Sequence, residues 1–239
     1  MGNSAIGSGT GNGEFASSGR AGKGPAGGSK PGALLERLLS YAVKEKDLSE
    51  ASGGLMKRFK GLRGVLDASQ EELKDSGWVG EHGAVFLKFV KEAAGVYLKE
   101  RMMGKDAVRN MKCVLDYLFL ALSGERIEKF LAIYLNSKNE VLSVDVLHEG
   151  TINQTVVYPR KAIERAFRHK ACGVIFVHNH PSGDPTPSAM DRQLARTLDS
   201  AARAVDLVVA DHVVIGKNRH FSARENGWMA GGPFSKIKA

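Results

Sequence analysis

The sequence is poor in cysteine and has no hydrophobic run long enough to cross a membrane. Only two cysteines occur among its 239 residues. Cys113 falls in a helical pattern and Cys172 in an apolar strand pattern, so we expect both to be packed as small apolar groups rather than joined in a disulfide, and neither lies in a cluster of metal ligands. No apolar stretch approaches the roughly 18 residues of a membrane span, and the first residues lack the apolar core of a secretion signal. We therefore expect a cytoplasmic protein with no membrane partner.

The sequence also lacks a dominant block of positive charge. Its net charge is +8, but Lys and Arg outnumber Asp and Glu by 3 to 1 in residues 1–30, 15 to 12 in residues 31–115 and 16 to 13 in residues 116–239. The densest basic cluster contains Lys57, Arg58, Lys60 and Arg63, a pattern that is also typical of the solvated end of a helix. Charge alone therefore does not specify a nucleic-acid partner.

Residues 1–30 lack the large apolar side chains that a core requires. They contain ten of the 28 glycines, together with many serines, and such a segment cannot bury enough apolar surface to fold. We predict a disordered tail at residues 1–30, a helical domain at residues 31–104 and a larger domain at residues 105–239.

The helical domain contains a pattern of helix, glycine turn and helix. Apolar residues recur at helical spacing through residues 33–103, and Ser69 followed by Glu72 predicts a capping box that opens a helix. A turn is predicted at residues 77–80, and residues 84–100 continue as the next helix. This unit resembles a helix-hairpin-helix, whose turn offers backbone amides to a DNA phosphate.

The hairpin departs from the usual Gly-apolar-Gly turn. Trp78 stands where the first glycine belongs, and Gly77 is displaced by one position, so a bulky side chain would obstruct the close approach of a phosphate. Two interpretations stay open, a small packing domain with a degenerate hairpin and a DNA-binding domain. In the second, the candidate contacts are Lys57, Arg58, Lys60 and Gly80.

The remainder of the chain alternates between strand and helix patterns after a predicted helix at residues 106–123. Apolar or alternating runs predict strands at residues 130–135, 141–148 and 172–178, and then near 207–209, 212–215 and 219–222. Helical spacing predicts helices at residues 159–169, which open with proline, and 188–204. The expected fold class is therefore α/β, a mixed sheet with helices on its faces.

A short motif between residues 178 and 191 gathers three candidate metal ligands. His178 and His180 follow an apolar run and are two residues apart, so on an extended backbone both imidazoles project from one face. Prolines at positions 181, 185 and 187 then turn the chain, and Asp191 falls in the first turn of the next helix. Two histidines and one carboxylate are the donor set of an open hydrolytic zinc site.

Each part of this motif also has an ordinary structural interpretation. Ser188 and Asp191 form a Ser-x-x-Asp capping pattern that needs no metal, and a His-x-His pair at a strand end is often incidental. The combination of paired histidines, a proline-rich turn and a carboxylate at a helix start favours metal binding.

The order of residues in the motif resembles that of a known family. The order His-x-His-Pro, six residues, Ser-x-x-Asp resembles the JAMM motif of the JAB/MPN metalloprotease superfamily. Further segments are similar to the bacterial RadC family: His-Asn-His-Pro-Ser-Gly from His178, Gly-Thr-Ile-Asn from Gly150, Tyr-Pro-Arg from Tyr158 and Asp-His-Val-Val-Ile-Gly from Asp211. The resemblance covers roughly residues 33–229. It implies a mixed-sheet JAB/MPN domain of cytidine-deaminase-like architecture, preceded by the small helical domain.

The resemblance also implies roles for five residues. One Zn²⁺ per chain is expected to be held by His178, His180 and Asp191. Glu128, at the start of an upstream strand, is expected to act as general base, taking a proton from water and returning it to the leaving amine. Ser188 is expected to donate to the developing oxyanion.

Two further positions match the family pattern. Asp211 and His212 precede a short apolar run, and we expect them to support the ligands rather than to bind the metal. A solvated strand edge explains the pair as well.

The function favoured by the sequence is zinc-dependent hydrolysis of an amide or isopeptide bond in a peptide or protein substrate. One alternative is a DNA repair or recombination protein that binds nucleic acid through its helical domain. Another is a non-catalytic MPN interaction module whose metal site is structural or lost, which the complete motif disfavours. No pattern specifies the substrate or the oligomeric state.

Overall fold

The computed structural model describes residues 30–43, 47–150 and 157–228. Apart from Lys30, the tail predicted to be disordered lies outside the described residues. Residues 151–153, part of the Gly-Thr-Ile-Asn segment that resembles the RadC family, also lie outside them. Within the described ranges, no helix combines the length and the apolar character that crossing a membrane requires.

The helical part consists of five consecutive helices in the described ranges. They are α1 (Pro31–Leu39), α2 (Leu48–Arg58), α3 (Leu62–Asp67), α4 (Gln70–Lys74) and α5 (Glu81–Met102). The predicted capping box is confirmed, because the Ser69 hydroxyl accepts from the Glu72 amide and the Glu72 carboxylate accepts from the Ser69 amide. The apolar faces of the helices close on one core, which includes Leu35, Leu39, Leu55, Val65, Leu73 and Leu87.

The turn between α4 and α5 is packed onto this core. Gly77 has a φ of +76°, a conformation that glycine adopts without steric cost. Trp78 lies so close to Gly54 of α2 that a Cβ at residue 54 would overlap the indole ring. The bulky residue that replaces the usual turn glycine is therefore a packing contact between α2 and the turn.

The rest of the described chain forms a five-stranded mixed sheet with helices, so the α/β fold class is confirmed. Its elements are α6 (Met111–Leu122), β1 (Glu128–Leu135), β2 (Val141–Gly150), α7 (Pro159–Arg168), β3 (Gly173–Asn179), α8 (Ala189–Arg203), β4 (Val208–Ile215) and β5 (His220–Ser222). The strand order is β2-β1-β3-β4-β5. Only β3 and β4 are parallel, and the other described pairs are antiparallel.

Both faces of the sheet are covered by helices. On one face, a core that includes Leu118 of α6 and Ile133 of β1 also takes in Met102 from the end of α5. On the other face, a core that includes Phe176 of β3 and Leu198 of α8 also takes in residues of α7. Alternate residues of a strand share a face. His178, two positions after Phe176, therefore projects toward α7 and α8.

The helix predicted at residues 106–123 begins five residues later than expected, at Met111. One carboxylate oxygen of Asp106 accepts from the amides of Val108 and Arg109 at 2.9 and 3.0 Å, and Asp106 forms an isolated bridge with Glu140. A side chain that binds its own downstream amides offers the backbone an alternative to the helix.

The two strands predicted near residues 207–209 and 212–215 are one continuous strand, β4. Val174 pairs with Val209, whereas the next residue, Ile175, pairs with Asp211. Ala210 is thus an extra residue in β4, and this β-bulge shifts the register without ending the strand.

Both cysteines are free, but they differ in exposure. Cys113 is half-buried against the core under α6, whereas Cys172 is exposed. The predicted burial of Cys172 is wrong, because β3 begins only at the following residue, Gly173.

Candidate metal centre

The motif side chains are placed by the central strand β3 and by the first turn of α8. His178 lies near the end of β3, between β1 and β4 in the sheet. The amide of His180 donates to the carbonyl of Ile215 in β4 at 2.9 Å, so the chain keeps its direction past the end of the strand. Both imidazoles lie on the face that α8 covers, and Asp191 is in the first turn of that helix.

The three candidate ligands lie at the mutual distances of donors around one small cation. The Nε2 atoms of His178 and His180 are 3.1 Å apart, and each lies 3.4 Å from a carboxylate oxygen of Asp191. Donors about 2.0 to 2.1 Å from a tetrahedral zinc are separated by roughly 3.3 Å. The structure therefore brings His178, His180 and Asp191 together as a group that can hold a metal ion.

The outer nitrogen of His180 is fixed by the loop that follows β3. Its Nδ1 lies 2.8 Å from the carbonyl oxygen of Asp184. A carbonyl only accepts, so Nδ1 carries a hydrogen, and Nε2 is the ring atom that faces the other two ligands.

The outer nitrogen of His178 faces a second buried histidine. Nδ1 of His178 lies 3.0 Å from Nε2 of His212. Burial, reinforced by the charge of His178, lowers the pKa of His212 to about 3, so His212 is neutral. If Nε2 of His178 binds a metal, its Nδ1–H donates to His212, whose own hydrogen must then be on Nδ1. That nitrogen has no hydrogen-bond partner in the described residues.

Replacing His212 with leucine removes the acceptor that orients His178. We expect the apparent zinc affinity to fall about 10- to 100-fold, as is usual when a group that orients a ligand is lost. Competition with a chelator of known affinity measures this change. The matched control is Asp211→Asn, since the Asp211 side chain lies on the other face of β4, and its zinc affinity should stay at the wild-type value. Equal affinities for His212→Leu and the wild type would show that His212 does not orient the ligand.

The carboxylate of Asp191 both caps α8 and faces the two histidines. The amide and hydroxyl of Ser188 donate to Oδ2 at 2.6 and 2.7 Å, and the Asp191 amide donates to the Ser188 hydroxyl at 3.1 Å. The predicted capping pattern is thus present. Burial opposes ionisation of Asp191, but hydrogen bonds from His178 and His180 outweigh it and hold its pKa well below the usual range. Capping and metal binding are therefore compatible at this residue.

The hydroxyl of Ser188 points to Asp191 in this arrangement. Donation by Ser188 to an oxyanion requires its hydroxyl hydrogen to turn toward substrate, and this role stays a prediction.

Glu128 lies beside the three candidate ligands at the start of β1. It is only 8% exposed. Phe130 pairs with His178, and alternate residues share a face, so Glu128 projects from the same face as the histidines. Burial raises the pKa of Glu128, with the charge of His178 acting against this rise and that of Asp191 adding to it. A buried carboxyl with a raised pKa is suited to take up and release a proton.

Sequence reasoning missed Asn179, which lies between the two histidines. Asn179 is 1% exposed. Its side-chain oxygen accepts from the Lys129 amide at 2.8 Å, and its nitrogen donates to the Ile127 carbonyl at 3.1 Å. These two residues flank Glu128, so Asn179 fixes the backbone that carries the candidate base. The available signal was a polar residue at the buried end of an apolar strand, between two candidate ligands.

Asp211 and His212 lie in the middle of β4 rather than at a solvated strand edge. Both are 3% exposed, and they point to opposite faces of the sheet. His212 contacts His178, whereas Asp211 accepts from the Ser222 hydroxyl at 2.6 Å and from the Arg224 amide at 2.9 Å. Burial raises the pKa of Asp211. Its hydrogen bonds fix the segment that follows β4 and the backbone amide of His212, which donates to Asp211 at 2.7 Å.

The candidate DNA contacts are exposed in the helical part; they are Lys57, Arg58, Lys60 and Gly80. Arg58 donates to the carbonyl of Asp75 at 2.9 Å, so it connects α2 to the end of α4. Glu81, in the first turn of α5, pairs with Lys74 at 2.9 Å, which places a negative charge beside the amides that a phosphate would use. DNA binding by this segment stays a prediction.

The mixed sheet and the His-His-Asp group at the end of its central strand define a JAB-type domain. The family model of the RadC-like JAB domain matches residues 108–228. That range contains α6 to β5 and every residue of the candidate metal centre. The chain belongs to the RadC-like JAB domain family.

Proposed function

We propose that the protein is a zinc-dependent hydrolase that cleaves an amide or isopeptide bond of a peptide or protein substrate. The observation that carries this proposal is a pair of imidazole nitrogens 3.1 Å apart, each 3.4 Å from one carboxylate oxygen of Asp191, next to a buried glutamate. Ligands alone are also found in structural sites, but those are usually closed by a fourth protein donor. Three donors with a candidate base alongside favour a catalytic site.

The donor set favours zinc over the common oxygen-binding cations. Two imidazoles and one carboxylate suit zinc, whereas Mg²⁺ and Ca²⁺ prefer shells made of oxygen. Bound in this group, zinc supplies Lewis acidity, which polarises a carbonyl and lowers the pKa of water.

The protein side chains supply proton transfer and positioning. Glu128 takes a proton from the attacking water and delivers it to the leaving nitrogen, a task for which its raised pKa is favourable. Asn179 holds the backbone on both sides of Glu128. Ser188 offers a hydroxyl at the N-terminus of α8, where negative charge is stabilised.

Hydrolysis in ¹⁸O-labelled water tests the proposal on many candidate substrates at once. The zinc-loaded full chain is incubated with a mixed library of peptides and lysine-linked isopeptides, and products are read by mass spectrometry. We expect new carboxyl termini that carry one ¹⁸O atom, loss of these products after chelation and their return when zinc is added. A protein with one zinc per chain that cleaves no member of the library would contradict the proposal.

A further inference from the structure

A small cavity lies beside α8, and one of its lining residues, Arg192, directly follows the candidate ligand Asp191 in the chain. Its volume is about 260 Å³, and its lining residues are Arg192, Ala195, Arg196, Asp199, Gly227 and Trp228. The cavity combines two cations with one aromatic ring, which is the composition of a site for a planar anion.

The two arginines of this cavity have unused hydrogen-bond donors. The guanidinium carbon of Arg192 lies 4.3 Å from the centre of the Trp228 ring, and stacking of this kind leaves the in-plane N–H groups free. Arg196 follows one helical turn later. In the part of the chain that the structure describes, neither guanidinium contacts an acidic group or another acceptor. Asp199, which also lines the cavity, is paired with Arg203 at 2.9 Å, so the two arginines outnumber the one carboxylate of the lining.

The cavity is within reach of a substrate held at the metal centre. Ala195 lies four residues after Asp191 on the same face of α8, and this spacing corresponds to about 6 Å. An extended peptide advances about 3.3 Å per residue. A side chain in the cavity therefore belongs to a residue about two positions from the bond at the metal centre. Trp228, which lines the cavity opposite α8, packs on Phe221 of β5, with ring centres 4.7 Å apart. This contact holds the Trp228 side of the cavity in place.

We propose that this cavity is a substrate subsite that binds a carboxylate side chain, aspartate or glutamate, about two residues from the bond to be cleaved. The two guanidinium groups match the planar carboxylate, with one or both forming paired hydrogen bonds. The inference rests on the proposed function in that the substrate is a peptide. It adds a preference for acidic peptides.

Binding without turnover tests this subsite. The chain has two tryptophans, so Trp78→Phe leaves Trp228 as the single indole reporter, and Glu128→Gln in the same zinc-loaded chain keeps the peptide intact. The probes are a blocked hexapeptide with one central glutamate and its glutamine analogue, titrated at low salt while Trp228 fluorescence is recorded. We expect the glutamate peptide to bind at least about tenfold more tightly than the glutamine peptide. Arg192→Gln combined with Arg196→Gln should remove this difference.

The control variant removes the same amount of charge elsewhere. Arg101→Gln combined with Arg168→Gln changes two exposed arginines on α5 and α7, and it should keep the preference for glutamate. Equal binding of the two peptides, an equal loss in the control variant, or tighter binding of inorganic phosphate than of the glutamate peptide would each overturn the subsite. Because no cleavage is measured, glutamate-selective binding without any hydrolysis in the ¹⁸O assay contradicts only the proposed activity. Hydrolysis without selective binding contradicts only the subsite.

Discussion

His178→Ala abolishes zinc binding: we expect about one zinc per chain in the wild type and less than about a tenth of that in the variant after gel filtration at neutral pH. The reason is geometric. Nε2 of His178 lies 3.1 Å from Nε2 of His180 and 3.4 Å from Oδ1 of Asp191, and its loss leaves two of the three candidate ligands. Metal content is measured by elemental mass spectrometry and expressed per chain.

Two further variants make this measurement decisive. His178 is almost fully buried, so its truncation leaves a cavity that can destabilise β3. Asp191→Asn keeps the side-chain volume and the first turn of α8 while it weakens the third donor, and we expect its zinc content to fall as well. His82 is exposed on α5, so His82→Ala removes an imidazole and should keep the full zinc content. Full zinc in both His178→Ala and Asp191→Asn, each shown by circular dichroism to be folded, would exclude these residues as ligands.

Glu128→Gln should stop hydrolysis while zinc remains bound. Glutamine has nearly the same shape, but it cannot take up a proton from water, and loss of a general base lowers rates by about 10²- to 10⁴-fold. The rate of ¹⁸O-labelled product formation, divided by the zinc content of each preparation, measures the effect. The zinc content itself should stay at one ion per chain, because Glu128 lies next to the three ligand atoms without belonging to the group.

A neighbouring glutamate provides the matched control for this variant. Glu149 lies on β2, where its carboxylate contacts Lys129 at 3.5 Å and is about half exposed. Glu149→Gln should therefore keep the wild-type rate. A Glu128→Gln protein with full zinc and an undiminished rate would show that another group acts as base.

The candidate ligands could be predicted from the sequence because local periodicity determines their directions. Residues two apart on a strand share a face, and the third residue of a capped helix turns back toward the cap. The convergence of His178, His180 and Asp191 could therefore be predicted from these two local rules and from the short connection between the strand and the helix. The mixed sheet could be predicted for the same reason, since the hydrophobic periodicity that distinguishes strands from helices is visible within short stretches of sequence.

The contacts that support the ligands do not follow from local periodicity, because they depend on which strands pair, and a supporting role for His212 was expected only from the family resemblance. Asn179 reaches the backbone around Glu128 across about 50 residues of sequence, and His212 reaches His178 across 34. The start of α6 was misplaced for a similar reason, because Asp106 bridges to Glu140. The bulge at Ala210, which makes β4 continuous, is also a property of pairing with β3.

Anomalous diffraction at the zinc edge from crystals of the zinc-loaded chain tests the central claim most directly. We expect one peak per chain at about 2.0 to 2.2 Å from Nε2 of His178, Nε2 of His180 and a carboxylate oxygen of Asp191, the usual zinc distances for these donors. The Glu128 carboxylate should face the open side of the metal without binding it. A zinc peak at any other group of side chains, or none in crystals grown with zinc, would contradict the assignment of this centre.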